Sequence, residues 1–362
     1  MNILSGGKKL IGVDLGASSV KALELKKKSG SGLSVSCFGQ EDLGFDIEEK
    51  SPEEKKQAYV KALKKVISSC KFSTKNAAIS ISGNSVIVRF VRFPKMTPDE
   101  LEKSLQFEAE PHIPFDISEV DMDTQIIGDV EEDGQVKMET VLVASKKETI
   151  KEKIEIIELA GLIPAVVDID AFAVGNVYEA LESEASGIAA MLVDIGASTT
   201  NISITDRGIA KVVRDLNVAG SSFTKAIQNA FMAETGQAEE LKKRYGLTGG
   251  KELPEGEDGE DGKGEKVSEV LAVSVGELIS EIERSVDFFA SQSTTENRAV
   301  EKIILSGGGA SLKGLKELVG SRLNLPVEIM SPFESRDLVG NANMPSLNLV
   351  TGLAMRWADD SG

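Results

Sequence analysis

The sequence predicts an α/β protein of two duplicated lobes, one carrying an inserted strand–helix–strand–strand module. Three observations lead there. Residues 11–25 (IGVDLGASSVKALEL) echo residues 191–205 (MLVDIGASTTNISIT), with Asp14, Gly16, Ala17 and Ser18 answering Asp194, Gly196, Ala197 and Ser198. A single echo in 362 residues marks a duplicated unit, since a solenoid would show several shorter repeats. In both copies apolar alternation resumes after Gly-Ala-Ser, at Val20, Ala22, Leu23 and Leu25 and at Ile202 and Ile204. Each is therefore a β-hairpin tip, unlike the strand-to-helix turn of a Rossmann or Walker signature. Between the echoes, residues 86–162 read as a module with its own strands and helices.

The elements follow in order. Ser51-Pro52-Glu53-Glu54 is a capping box with proline at the first helical position, and Tyr59, Leu63, Val66 and Cys70 share one face. Val86 to Phe93 reads as a strand. Thr97-Pro98-Asp99-Glu100 then caps a helix carrying Leu101, Leu105 and Ala109. Strands around 120–127 and 136–144 follow, with Asp133-Gly134 as the turn between them. Ser145-Lys146-Lys147-Glu148 predicts a third capping box, before Ile150, Ile154 and Ile157, with Gly161 and Pro164 ending the helix. Residues 249–266 are acidic and Gly-rich, which predicts a surface loop. Leu278, Ile282, Ser285 and Phe289 give a helical face, Lys302 to Leu305 a buried strand, and Leu349 to Trp357 a short apolar helix.

Composition excludes several classes of function. With 41 Lys+Arg against 58 Asp+Glu the net charge is −17, unsuited to nucleic acid. Cys37 and Cys70 are too few for a disulfide framework and lack metal-ligand spacing. A lone His112, set among Pro111 and Pro114, reads as loop structure and leaves no source for a His-based metal cluster or a catalytic triad. No apolar run is long enough to span a bilayer, and Met1 to Gly7 lacks a signal core. A soluble protein of a reducing compartment is expected.

The chemistry lies in the tips. Small residues let backbone N–H groups approach phosphate oxygens, and Ser18, Ser19, Ser198 and Thr199 add hydroxyls. Asp14 and Asp194 would repel bare phosphate, so a cation must stand between, and Mg²⁺ held through water suits that arrangement. Lys21 would neutralise further charge. Gly307, Gly308 and Gly309 after their strand suit close approach to a flat base, and as isolated glycines they equally suit a tight turn. In the same plain reading Asp14 and Asp194 are turn caps, Asp170 is a helix N-cap, and Glu239 and Lys242 are an exposed ion pair.

Together the Asp14 tip, the Asp194 tip and Ser306-Gly307-Gly308-Gly309 resemble the phosphate-1, phosphate-2 and adenosine motifs of the actin/Hsp70/sugar-kinase ATPase superfamily. The inserted module resembles the SHS2-type 1C subdomain of FtsA and its relatives. Residues 108–117 (EAEPHIPFDI) and 351–356 (TGLAMR) are most similar to the PilM family of type IV pilus assembly. The resemblance implies an actin/Hsp70-like ATPase fold. Its subdomains would be 1A (1–85 and 163–187), 1C (86–162), 2A (188–220 and 281–345), 2B (221–280, with the acidic loop) and a C-terminal helix (346–362) returning to 1A. It implies ATP and Mg²⁺ between the lobes, with Glu239 and Lys242 near ribose and adenine and Gly220 beside the nucleotide. Where several relatives position water with Glu-Pro, this chain has Asp168-Ile169-Asp170. Asp170 is the better match and Asp168 the second, and the shorter carboxylate implies at most weak ATPase activity.

The implied function is a cytoplasmic adaptor, peripheral to the inner membrane, that takes the N-terminal tail of a PilN-like protein. Phe93, Met96, Phe107, Ile113 and Phe115 are the candidates for the groove, and other platform proteins or a homo-oligomer are further partners. The competing readings are an FtsA/MreB-like filament and a small-molecule kinase. For the first, a chain stopping at Gly362 after Asp359 and Asp360 implies no direct membrane insertion; for the second, no substrate-recognition insertion is evident.

Overall fold

The computed structural model describes residues 9–27, 33–44, 47–132, 134–182, 187–250, 262–292, 298–333 and 339–356. The expected hairpin tips form. In the first lobe β1 (Ile11–Leu15) pairs antiparallel with β2 (Ser19–Lys27), Leu15 opposite Val20, leaving Gly16-Ala17-Ser18 as the tip. In the second, β9 (Ala189–Ile195) pairs with β10 (Thr200–Asp206), Ile195 opposite Thr200.

Each tip belongs to a five-stranded sheet, and the two sheets repeat one order. With β3 (Leu33–Asp42), β4 (Asn76–Ile81) and β8 (Ile163–Ile169), the first reads β3-β2-β1-β4-β8. With β11 (Ile209–Leu216), β12 (Val300–Ser306) and β13 (Val327–Ile329), the second reads β11-β10-β9-β12-β13. The duplication visible in fifteen-residue echoes thus extends to whole sheets, one strand order used twice.

The inserted module is a separate sheet, β5-β7-β6, from β5 (Val86–Pro94), β6 (Val120–Glu132) and β7 (Gln135–Lys146), all antiparallel. Gly134, at φ +75°, follows the turn position, while Asp133 lies outside the described residues. Helices α1 (Pro52–Ser69) and α2 (Pro98–Ala109) open on the expected capping boxes, Ser51 with Glu54 and Thr97 with Glu100. The third box does not form. Ser145 stays in β7, paired with Val86 and Asp121, and α3 (Lys147–Leu159) starts after Lys146 with no side-chain cap. Strand hydrogen bonds on both sides of Ser145 outcompete a cap. The same helix packs Ile156 and Ile157 with Leu63 and Val66 of α1, so its apolar face serves the first lobe. Pro164, expected to end this helix, sits inside β8 after Gly161 has turned the chain at φ +92°.

The second lobe adds α5 (Gly220–Phe231), α6 (Thr235–Tyr245), α7 (Lys263–Gln292) and α8 (Leu315–Leu323). The expected acidic loop is shorter than its composition suggested. Lys263 to Lys266 form the first turn of α7, and residues 251–261 lie outside the described set. That helix runs unbroken across residue 280. Its buried Val267, Leu271, Val275, Leu278 and Ile282 pack onto β9, β10 and β12 in the largest core.

Two helices lie between the sheets: α4 (Asp170–Leu181) and α9 (Asn348–Met355). Val350, Ala354 and Met355 share a core with Leu23 and Leu25 of β2, Val174 and Val177 of α4, and Ala190 and Leu192 of β9. A helix apolar all round belongs in such an interior. Gly352 permits the crossing, because a Cβ there would collide with the Ala173 carbonyl. Trp357 lies outside the described residues.

Cys37 on β3 and Cys70 at the end of α1 are joined in a disulfide, with Cα atoms 6.0 Å apart. Two cysteines are too few for a framework, and this single pair was not anticipated: β3 and α1 are packed side by side, 33 residues apart in the chain.

Candidate functional site

The site lies where the two tips, the start of α4 and the glycine turn converge. Asp14 and Lys21 are direct cross-strand partners on β1 and β2, and Lys21 Nζ donates to Asp14 Oδ2 at 2.8 Å. Both are buried, their side chains 10% and 9% exposed, so this is a paired buried charge. The second lobe resolves the same position differently. Asn201 stands opposite Asp194, as Lys21 stands opposite Asp14, and turns its Nδ2 to Asp215 Oδ1 at 2.6 Å. Asp194 therefore has no lysine across from it. Burial pushes its carboxyl up to about 6, a hydroxyl hydrogen bond with Ser306 opposes the rise, and the charges of Asp170 and Asp14 add to it.

Asp170 is the first residue of α4; Ile169 occupies the cap position, so the cap reading of Asp170 is not what the fold uses. Its Oδ1 is buried without a hydrogen-bond partner. Asp168, at the end of β8, is turned elsewhere, toward Arg356 Nε at 3.5 Å. Burial raises its carboxyl, and the Arg356 charge offsets part of that rise. Asp215 is likewise raised by burial, against hydrogen bonds from Asn201 and the Gly83 N–H.

Gly307 packs onto the second tip. It takes φ +80°, and a Cβ there would collide with the Ile195 backbone. Gly308 is exposed and Gly309 half-buried beside Ile195. Ser306 Oγ accepts from Asn348 Nδ2 at 2.9 Å, which ties the turn to α9. Gly220, at the start of α5, donates its N–H to the Gly196 carbonyl, and Ser221 donates to Ala197. Lys242 reaches the Gly220 carbonyl at 3.1 Å and Glu239 at 2.6 Å, while Thr224 Oγ1 donates to Glu239 at 2.7 Å. Burial pushes the Glu239 carboxyl up, but Lys242 and Thr224 outweigh it and hold it below its usual range. Glu239 and Lys242 are thus an ion pair, placed one hydrogen bond from the turn that cradles the second tip.

Ala17 and Ser18 lie at the first tip, Gly16 accepts a hydrogen bond from Tyr59 Oη at 3.4 Å, and Ser19 is buried within β2. Ala197, Ser198 and Thr199 are half-buried at the second tip, where the Thr199 carbonyl accepts from the Gly196 N–H. Among the described residues no three His, Cys, Asp or Glu side chains gather closely enough to hold a metal ion by themselves. Sequence reasoning missed Asp215, Asn201, Asn348 and Arg356. The offset that matches Asp14 to Asp194 also carries Lys21 onto Asn201, and that was the available signal.

The groove candidates divide. Phe93 and Ile113, expected at the surface, are 2% and 7% exposed and pack with Leu101, Ala109, Met138 and Leu142 in the module core. Met96 and Phe115 are half-buried at its margin, and Phe107 on α2 is 78% exposed. The pleat of β5 points Phe93 inward, beneath α2. The module also touches the second lobe: Lys211 on β11 pairs with Glu139 on β7 at 2.8 Å.

A family model described as "Type IV pilus assembly protein PilM" matches residues 12–358. Among solved structures, a chain of a PilM–PilN type IV pilus biogenesis complex is 26% identical, covers 96% of this chain and 98% of its own, and superposes with a TM-score of 0.80. The ethanolamine utilization protein EutJ of Carboxydothermus hydrogenoformans shares the fold, at a TM-score of 0.55, 12% identity and coverage of 98% and 94%. The cell division protein FtsA of Pseudomonas aeruginosa is 27% identical over 186 residues, 50% of this chain and 45% of its own length. That of Helicobacter pylori strain 26695 is 25% identical over 232 residues, 59% and 46%. The chain thus spans less than half the length of these curated relatives. No helix among the described residues is long and apolar enough to cross a membrane.

Proposed function

Because the chain belongs to the PilM family of type IV pilus assembly proteins, we propose that it is a nucleotide-responsive cytoplasmic adaptor that holds the N-terminal tail of a PilN-like inner-membrane protein. The observation that carries this reading is the likeness, along nearly the whole chain, to a chain of the PilM–PilN complex.

ATP would lie between the lobes, its phosphates against Gly16 to Ser18 and Gly196 to Thr199, its base toward Gly307 to Gly309. The acidic surroundings favour a cation: Asp194 is buried near the charges of Asp14 and Asp170, with Lys21 the balancing charge among the described residues. Asp14 and Asp194 would hold Mg²⁺ through water, which suits an ion that keeps several waters and few protein ligands. Bound Mg²⁺ supplies charge neutralisation of the phosphates. Asp170, whose buried Oδ1 has no hydrogen-bond partner, would be the acceptor that orients a water; Asp168 Oδ2, likewise without one but 3.5 Å from Arg356 Nε, is the second candidate.

Nucleotide can act on a distant peptide only if the two lobe arrangements differ in affinity for it. Two contacts supply a route for such coupling. The Gly83 N–H, between β4 and β5, donates to Asp215 of β11, and Glu139 of the module pairs with Lys211 of the same strand. Closure of the second lobe would pull on the base and the flank of the module together. The peptide would lie beside it, anchored through Phe107 with Met96 and Phe115 at the rim.

Calorimetric titration with a synthetic peptide copying the tail of the PilN-like protein tests this, with and without Mg-ATP. Saturable binding that shifts with nucleotide and falls at least about tenfold in Phe107→Asp supports the adaptor. Absence of binding in either state overturns it.

A further inference from the structure

The first lobe has two poles. One carries the hairpin tip. At the other β1, β4 and β8 begin, since they run parallel, and β2, returning antiparallel, ends. Helix α1 runs from the tip side to this far pole, and α3 finishes there, because it leads into β8. The far pole gathers Lys9, Lys26, Lys71 and Lys75, all exposed, and α1 adds exposed Lys61, Lys64 and Lys65 on the flank. Residues 1–85 carry 14 Lys+Arg against 9 Asp+Glu, in a chain whose net charge is −17.

Set among these lysines are Leu159 and Ile163, each 55% exposed. A trough of about 540 Å³ beside α1 is lined by Lys56, Lys61, Lys64 and Lys65, with Glu53 at its edge, around Val60 and Leu159. Most of the opposing charges are paired. Lys56 is paired with Glu53 and Glu155, and Lys65 with Glu41. Glu24 is buried, with Lys9 at 3.9 Å and a hydrogen bond from the Ser73 N–H, and exposed Glu158 adjoins Leu159. Lys61 and Lys64 have no ion pair among the described residues.

We propose that this pole docks on the anionic leaflet of a bilayer, lipid phosphates meeting the lysines of the trough while Leu159 and Ile163 enter the headgroup zone. The proposal rests on the reading above, in which a membrane-bound partner keeps the protein beneath a membrane. The lysines come from β2, α1, the α1–β4 connection and the chain before β1, a spread that suits an extended charged plane better than one peptide strand. Lysines near an anionic surface attract it individually, and exposed apolar side chains add to the adsorption. The strongly acidic remainder is repelled by the same surface, so the charge asymmetry also fixes which face turns toward it.

Vesicle flotation of the full chain, without peptide or nucleotide, tests this. The parent protein is expected to float with phosphatidylethanolamine–phosphatidylglycerol vesicles, to stay behind with phosphatidylcholine alone, and to be released by high salt. The double variant Lys61→Glu/Lys64→Glu should bind at least about tenfold more weakly, and Lys61→Gln/Lys64→Gln should fall between, both retaining parental thermal unfolding. No flotation with the phosphatidylglycerol vesicles overturns the proposal and leaves the pole to an acidic protein segment. Equal flotation with phosphatidylcholine, or binding indifferent to the charge reversal, overturns it as well. Since neither peptide nor ATP is present, failure here is distinguishable from failure of the adaptor reading.

Discussion

Changing Asp194 to Asn should make the nucleotide-free protein more stable at neutral pH. The folded carboxyl is pushed from 3.8 to about 6, chiefly by burial and then by Asp170 and Asp14. At about 1.4 kcal/mol per unit, keeping it ionised in the fold costs about 3 kcal/mol. Because this folded acid binds its proton more tightly than the unfolded one, the group favours folding below pH 3.8 to the full extent. That contribution is lost as pH rises toward about 6. The side-chain amide of the Asp194→Asn variant would carry no charge at any pH and could still hydrogen-bond the Ser306 hydroxyl. Urea unfolding at neutral pH should therefore show the variant more stable by about 2–3 kcal/mol, with the advantage shrinking as pH falls through the window. The same variant should lose the thermal upshift given by Mg-ATP. A variant no more stable than the parent at neutral pH, or an advantage that does not change with pH, would refute the reasoning.

The first lobe predicts the opposite sign. Lys21→Met strands the buried Asp14 carboxylate without its cation, and denaturant unfolding should show a loss of about 3–5 kcal/mol, mostly recovered in the Asp14→Asn/Lys21→Met double variant. Full-strength folding of the single variant would contradict the buried pair. Gly352→Ala places a methyl against the Ala173 carbonyl where α9 crosses α4; a loss of about 1–3 kcal/mol or more is expected in thermal or urea unfolding, and a neutral effect would mean the helices can separate.

Much of this architecture is legible in the sequence because the determining chemistry is local. Gly-Ala-Ser tips, Pro-led capping boxes at Ser51 and Thr97, and a strand entering three glycines each depend on neighbours a few positions apart. The repeat then supplied the pairing of whole lobes. What stayed hidden depends on partners distant in the chain. Ser145 has the right residues after it for a cap, but its strand pairing with Val86 and Asp121 decides its conformation. Phe93 looks exposable until α2 covers it. Asn348 reads as an ordinary helix start, whereas in the fold its amide reaches Ser306, Met330 and Pro345. Arg356 comes to lie beside Asp168 by a contact no spacing rule encodes. Cys37 and Cys70 meet only because β3 lies against α1.

The position of α9 bears on how the protein is made. The backbone of Gly12, in β1, lies against Val350 and Ala354 near the other end of the described residues. More than 330 further residues must be synthesised before that face of β1 is covered. The first lobe can assemble its α1–α3 side during translation, but it presents a bare apolar face until residues 348–355 emerge. Such a half-finished surface is a natural target for chaperones, so the lobes lock only once residues 348–355 have been made.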